Sequence, residues 1–181
     1  MLKNKFMDRN KKIFTAVMGV VIAVLALWFF LRFVVGGLED DWSSEKPQAE
    51  KSVELYYYNS DLDKDESGNI ACSKKGLVTI ERKIPITKTP IQDTVKLLLS
   101  GKLTDEERAQ GISTEYPLPG LSLKGALLKN GILTLEFDDP NNKTVGGSCR
   151  VGILWFQIEA TAKQFPEVRQ VRFLPEEIFQ P

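Results

Sequence analysis

The hydrophobic pattern changes period several times along the chain, and each change marks an element. The first apolar stretch has no period at all. Residues 13–31 read IFTAVMGVVIAVLALWFFL, with no charged side chain. At the rise of an α-helix this run reaches about 28 Å, close to the hydrocarbon thickness of a bilayer. Phe33, Val34 and Val35 extend it past Arg32, whose aliphatic stem lets the guanidinium reach the interface. Trp28 lies near the same end, where amphipathic rings favour the boundary. A transmembrane signal anchor over residues 13–35 is therefore expected. A cleaved signal peptide is the competing reading, with Val24 and Ala26 as small residues for a peptidase. Trp28, Phe29, Phe30 and Leu31 prolong the apolar run beyond that point and favour a retained anchor.

Beyond the anchor, residues 36–52 (GGLEDDWSSEKPQAEKS) show neither apolar period, and they read as an exposed tether. Alternation with period two then begins. VELYYY places Val53, Leu55 and Tyr57 on one face and Glu54, Tyr56 and Tyr58 on the other. LVTIERKI, residues 77–84, repeats the pattern, with Val78, Ile80 and Ile84 inward.

A helix follows. Thr89 is its expected N-cap, Pro90 fits the first turn, and Gln92 completes a capping box. Ile91, Val95, Leu98 and Leu99 form its apolar stripe, and Gly101 ends it. Residues 104–111 read as a short surface helix. Asn130-Gly131, between LSLKGALLK and ILTLEFDD, signals a two-residue hairpin. A second amphipathic helix carries Val151, Leu154, Trp155, Ile158, Ala162 and Phe165 on one face, and VRQVRFL supplies the last strand.

The outward strand positions are polar, so both helices are expected on one face of the sheet. The predicted fold class is α+β: a two-layer sandwich, a mixed sheet with two helices on one face in the order ββαββαβ, plus an N-terminal transmembrane helix. The expected organisation is a basic cytoplasmic tail (1–12), the anchor (13–35), the tether (36–52) and an outer domain (53–181). Tyr56 and Tyr58, beside Lys83 and Lys124, either lie flat on the open sheet face or form an interaction face there.

The segments VELYYYN, VTIERKI, TPIQDTVKLLLSGKLTDEERAQG, LLKNGILTLEF and GGSCRVGILWFQIEATAKQFPEVRQVRF together resemble the GerMN domain, the sporulation and spore germination domain. The resemblance covers residues 53–174, essentially the whole outer part. It implies a non-catalytic module outside a bacterial membrane.

Charge adds an orientation. The formal net charge of zero hides an asymmetry. Lys3, Lys5, Arg9, Lys11 and Lys12 precede the apolar run, and Glu39, Asp40 and Asp41 follow it. The positive-inside rule then places the N-terminus in the cytoplasm and the domain outside, a single-pass cell-membrane protein. No basic stripe suggests nucleic acid. The expected partner is an envelope protein or a cell-wall polymer.

Candidate chemistry is sparse. The chain has no histidine, which excludes histidine-based triads and zinc sites. With no P-loop or dinucleotide fingerprint either, no cofactor is expected. Asp61, Asp63 and Asp65 alternate as in a calcium loop. Glu66 replaces the turn glycine, however, and Cys72 the final bidentate glutamate. These three are weak calcium candidates, and a solvated turn is the simpler reading.

Cys72 and Cys149 are the only cysteines, and on the outer side of a membrane they suggest a disulfide. A reactive Cys149 at a helix N-terminus is the rival, but the chain offers no histidine as its base. Asp138 and Asp139 are expected turn formers. In the alternative functional reading, a carboxylate-based cell-wall hydrolase, they would act as catalytic carboxylates.

Overall fold

The structure, a computed structural model, describes residues 18–31 and 49–180. Two compact units are present, with a division after Pro47. In the first, residues 18–31 form an α-helix, α1, with Ile22, Leu25, Phe29 and Phe30 exposed. Among the described residues no helix is long and apolar enough to cross a membrane. The expected anchor, 13–35, runs past the described residues at both ends. The basic tail and residues 36–48 of the expected tether also lie outside them.

The second unit begins with β1 (Glu50–Tyr58), three residues ahead of the expected boundary. Next come β2 (Leu77–Pro85), α2 (Pro90–Leu99), α3 (Asp105–Ala109), β3 (Ser122–Lys129), β4 (Ile132–Asp138), α4 (Ser148–Lys163) and β5 (Gln170–Leu174). The class is α+β, as expected. The single mixed sheet is not found. β1 and β2 form a two-stranded antiparallel sheet, and β3, β4 and β5 form a separate three-stranded one with β5 parallel to β4.

The split has a visible cause: the side chains of Thr161 in α4 and of Gln164, its C-cap, occupy the outer edge of β1. The Gln164 carboxamide accepts from Glu54 N–H at 2.7 Å and donates to Glu54 C=O at 2.5 Å, as a neighbouring strand would. Thr161 Oγ1 accepts from Tyr56 N–H at 3.0 Å. Tyr58 completes the edge by exchanging backbone bonds with Ser113. An edge covered in this way cannot join another strand.

The two sheets, α2 and α4 share one core. Val53, Leu55 and Tyr57 enter it from β1, Val95 and Leu98 from α2, and Leu133, Leu135 and Phe137 from β4. Val151, Leu154, Ile158 and Ala162 enter from α4. Burying each of the larger aliphatic groups stabilises by about 1.5–3 kcal/mol. The inward positions read from both periodicities therefore stand.

Two local expectations change. Thr89 occupies the N-cap of α2 but makes no capping bond, because its hydroxyl turns to Asp93. The capping box forms instead at α3, between Thr104 and Glu107, and both carboxylate oxygens of Glu107 also accept from Arg82 Nη2 at 2.7 Å. Asn130 and Gly131 take φ of 52° and 79°, the left-handed pair that a tight hairpin turn needs.

Candidate functional site

The acidic loop between β1 and β2 begins with a short 3-10 turn, Ser60–Leu62, in which Asp61 N–H donates to Asn59 Oδ1. Its three alternating carboxylates then diverge. Asp61 pairs with Lys64 at 2.7 Å. Asp65 folds the loop tip by accepting from Ser67 N–H and Asn69 N–H, both at 2.8 Å. Asp63 turns inward and is only 1% exposed.

There, Asp63 accepts from the Tyr58 hydroxyl, the Ser73 amide and the Ser73 hydroxyl, each at 2.5 Å. Burial opposes its ionisation, but the bonds from Ser73 and Tyr58 outweigh burial and hold its carboxyl below the usual range. Burial, and after it the same contact with Asp63, pushes the Tyr58 hydroxyl up. Among the described residues no three acidic or cysteine side chains converge as a metal site would require. Each of Asp61, Asp63 and Asp65 already has its own protein partner, and Asp63 holds the loop together.

Cys72 and Cys149 form a disulfide with Cα atoms 5.1 Å apart, as the even count suggested. It ties the loop's return to the first turn of α4. Lys74 adds an ion pair to Glu159 of the same helix at 2.6 Å. The loop is thus fixed to α4 at two places and to β1 through Asp63.

This folding changes the expected interaction face. Register pairs Ser52 with Lys83, Glu54 with Glu81 and Tyr56 with Thr79, so these six share the outward face of the two-stranded sheet. Tyr58 would follow by alternation, yet it is 3% exposed. The returning loop covers it: Gly76 packs on its ring, and Asp63 takes its hydroxyl. Lys124 belongs to the other sheet. It sits at a bulge between Leu123 and Gly125 and pairs with Asp138 at 3.0 Å. Of the four residues grouped by sequence, only half-buried Tyr56 and exposed Lys83 remain on one face. Glu54 and Glu81, directly opposite each other, were not singled out. Like charges so placed are unfavourable, and Tyr56 donates to Glu54 at 2.9 Å while the Ser52 hydroxyl donates to Glu81.

Asp139 is a turn former. It accepts from Lys143 N–H at 2.9 Å and from both Thr144 N–H and the Thr144 hydroxyl at 2.8 Å. Burial opposes its ionisation, and those bonds overcome it and hold the carboxyl low. A carboxylate occupied in this way is a poor general acid. Asp138 faces Lys124.

The model of a family described as sporulation and spore germination, Germane, matches residues 54–177. The chain belongs to this family. Among solved structures it is similar to the tandem GerMN domains of the sporulation protein GerM from Bacillus subtilis. That match has 18% identity and a TM-score of 0.49, over 72% of this chain and 41% of that one. It is also similar to the first GerMN domain of the same protein, at 15% identity and TM-score 0.46, over 68% of this chain and 80% of that one. A third match is a putative lipoprotein from Clostridium perfringens, at 17% identity and TM-score 0.37, over 70% and 74% of the two chains. The chain spans less than half the length of the tandem structure. Among curated proteins none matches. The Germane match covers both the acidic loop and the disulfide, so these belong to the family domain as it occurs in this chain.

Proposed function

We propose that the chain is a non-catalytic binding or assembly module of a bacterial cell envelope, held outside the membrane by residues 13–35 as a single-pass anchor. The observation that carries this reading is the joining of a Germane domain to an uncharged apolar run with lysines and arginine before it and acids after it. A domain tethered in a thin layer above the bilayer meets its neighbours at raised effective concentration. The occupied state of Asp63 and Asp139 supports binding over hydrolysis, since neither offers a free acid for glycoside cleavage.

The outward face around Tyr56 is the first candidate contact. Its ring and hydroxyl sit among Glu54, Glu81 and Lys83, with the negative charge in excess. Such a face suits a partner that brings a cation to the paired glutamates. The test places a photo-crosslinking phenylalanine analogue at Tyr56 in the full chain and irradiates intact cells. A discrete adduct with one envelope protein or wall polymer is expected. Absence of an adduct removes this face from the account, and cleavage of purified peptidoglycan by the chain overturns the binding reading.

A further inference from the structure

The outer edge of β1 is closed by α4, but the outer edge of β5 is open. Gln170 N–H donates to Gly131 C=O on the β4 side of the ladder. By alternation, the backbone groups of Val171 and Phe173 face away from β4. Among the described residues no hydrogen bond reaches them. A groove of about 760 Å³ runs along this edge, lined by Trp155, Leu174 and Ile178 together with Thr134, Arg172 and, past the end of β5, Glu176. Trp155 forms one wall from α4, with its ring edge-on to Phe173 at a centroid distance of 4.7 Å. Arg172 lies on the opposite sheet face, is exposed, and makes no ion pair among the described residues.

Each of these features constrains the occupant. A row of unpaired N–H and C=O groups is complemented by another extended backbone. The apolar wall takes apolar side chains on the helix side. The unpaired guanidinium on the other side takes a carboxylate, which it can hold through two parallel bonds. The two sides of an added strand are reached by alternate residues.

We propose that this groove binds an extended segment of a partner polypeptide, added as a further strand on β5, in which apolar residues alternate with acidic ones. The inference rests on the binding-module reading and names the partner chemistry for a second face of the domain. A glycan or polyol-phosphate chain has no peptide backbone to pair with this edge.

The test uses the full chain in detergent micelles and a library of fluorescent nonapeptides alternating Val, Ile, Leu or Phe with Asp or Glu. The best members are expected to bind well below about 1 mM and to slow amide exchange at Val171 and Phe173. Methylating the peptide amides that face β5 should abolish binding, while methylating the alternate amides should not. Arg172→Glu, an exposed change, should weaken these peptides by about tenfold or more and favour versions with lysine in place of the acids. No binding below about 1 mM overturns the inference, as does binding that leaves the two amides unprotected or is equal in Arg172→Glu. If the groove fails while Tyr56 still crosslinks in cells, only this inference falls. If both fail, the binding-module reading falls with it.

Discussion

Replacing Cys72 and Cys149 together by serine lowers the unfolding free energy of the domain by about 4 kcal/mol. The bridge joins residues 77 positions apart, so in the chain-entropy model it removes much freedom from the unfolded chain. The folded state loses little besides, because Lys74–Glu159 and the Asp63 bonds still hold the loop. Denaturant titration of the oxidised chain, the reduced chain and the double variant checks this. Reduced wild type and the double variant should agree with each other and fall well below the oxidised chain. A change under about 1 kcal/mol would mean that the loop is held by its polar contacts alone.

Asp63→Ala should cost about 2–3 kcal/mol, since it strands the buried Tyr58 hydroxyl and the half-buried Ser73 amide and hydroxyl. Asp63→Asn should cost less. The backbone amide of Ser73 cannot reverse and must keep the amide oxygen, but the Ser73 hydroxyl can rotate and accept from the amide nitrogen.

The pH dependence follows from the lowered carboxyl. The stabilisation from Asp63 is fully present above the unfolded carboxyl pKa of about 3.9, and it is lost as pH falls through the lower folded value. Asp63→Ala should therefore lose less stability on acidification than wild type. Millimolar calcium should leave the melting temperature of both unchanged. A calcium-dependent rise in wild type that Asp63→Ala abolishes would contradict the role assigned to this residue.

Asp63 also marks where sequence reasoning stopped. Its alternation with Asp61 and Asp65 resembles a ligand set, because sequence spacing records which carboxylates are near in the chain and not which way the backbone turns them. The signal that could have found its role is the serine just after Cys72: a disulfide that ties the loop's return to α4 brings Ser73 amide and hydroxyl donors to a buried acid. Alternation likewise placed Tyr58 outward, and the same returning loop buried it.

The core was legible. Val53, Leu55 and Tyr57, the two apolar helix stripes and the Asn130-Gly131 turn were all read from local periods, which depend only on neighbours in the chain. Division into two sheets was not legible. It depends on Thr161 of α4 and its C-cap Gln164, polar residues that pair with the backbone of β1 more than one hundred residues earlier. No local period encodes that contact. The C-terminal closure was missed for a related reason. Ile178 and Phe179 follow the last strand without a repeating pattern, yet both are buried, and Phe179 packs on Phe137 and Phe173 with centroids 5.6 and 5.3 Å away.

The central claim is a Germane domain held outside the membrane by its own N-terminal anchor. The most direct measurement adds protease to intact protoplasts and follows both ends of the full chain with tags. The account predicts that the C-terminal tag disappears while an N-terminal fragment stays protected until the membrane is opened. A C-terminal tag that survives until the membrane is opened would contradict it.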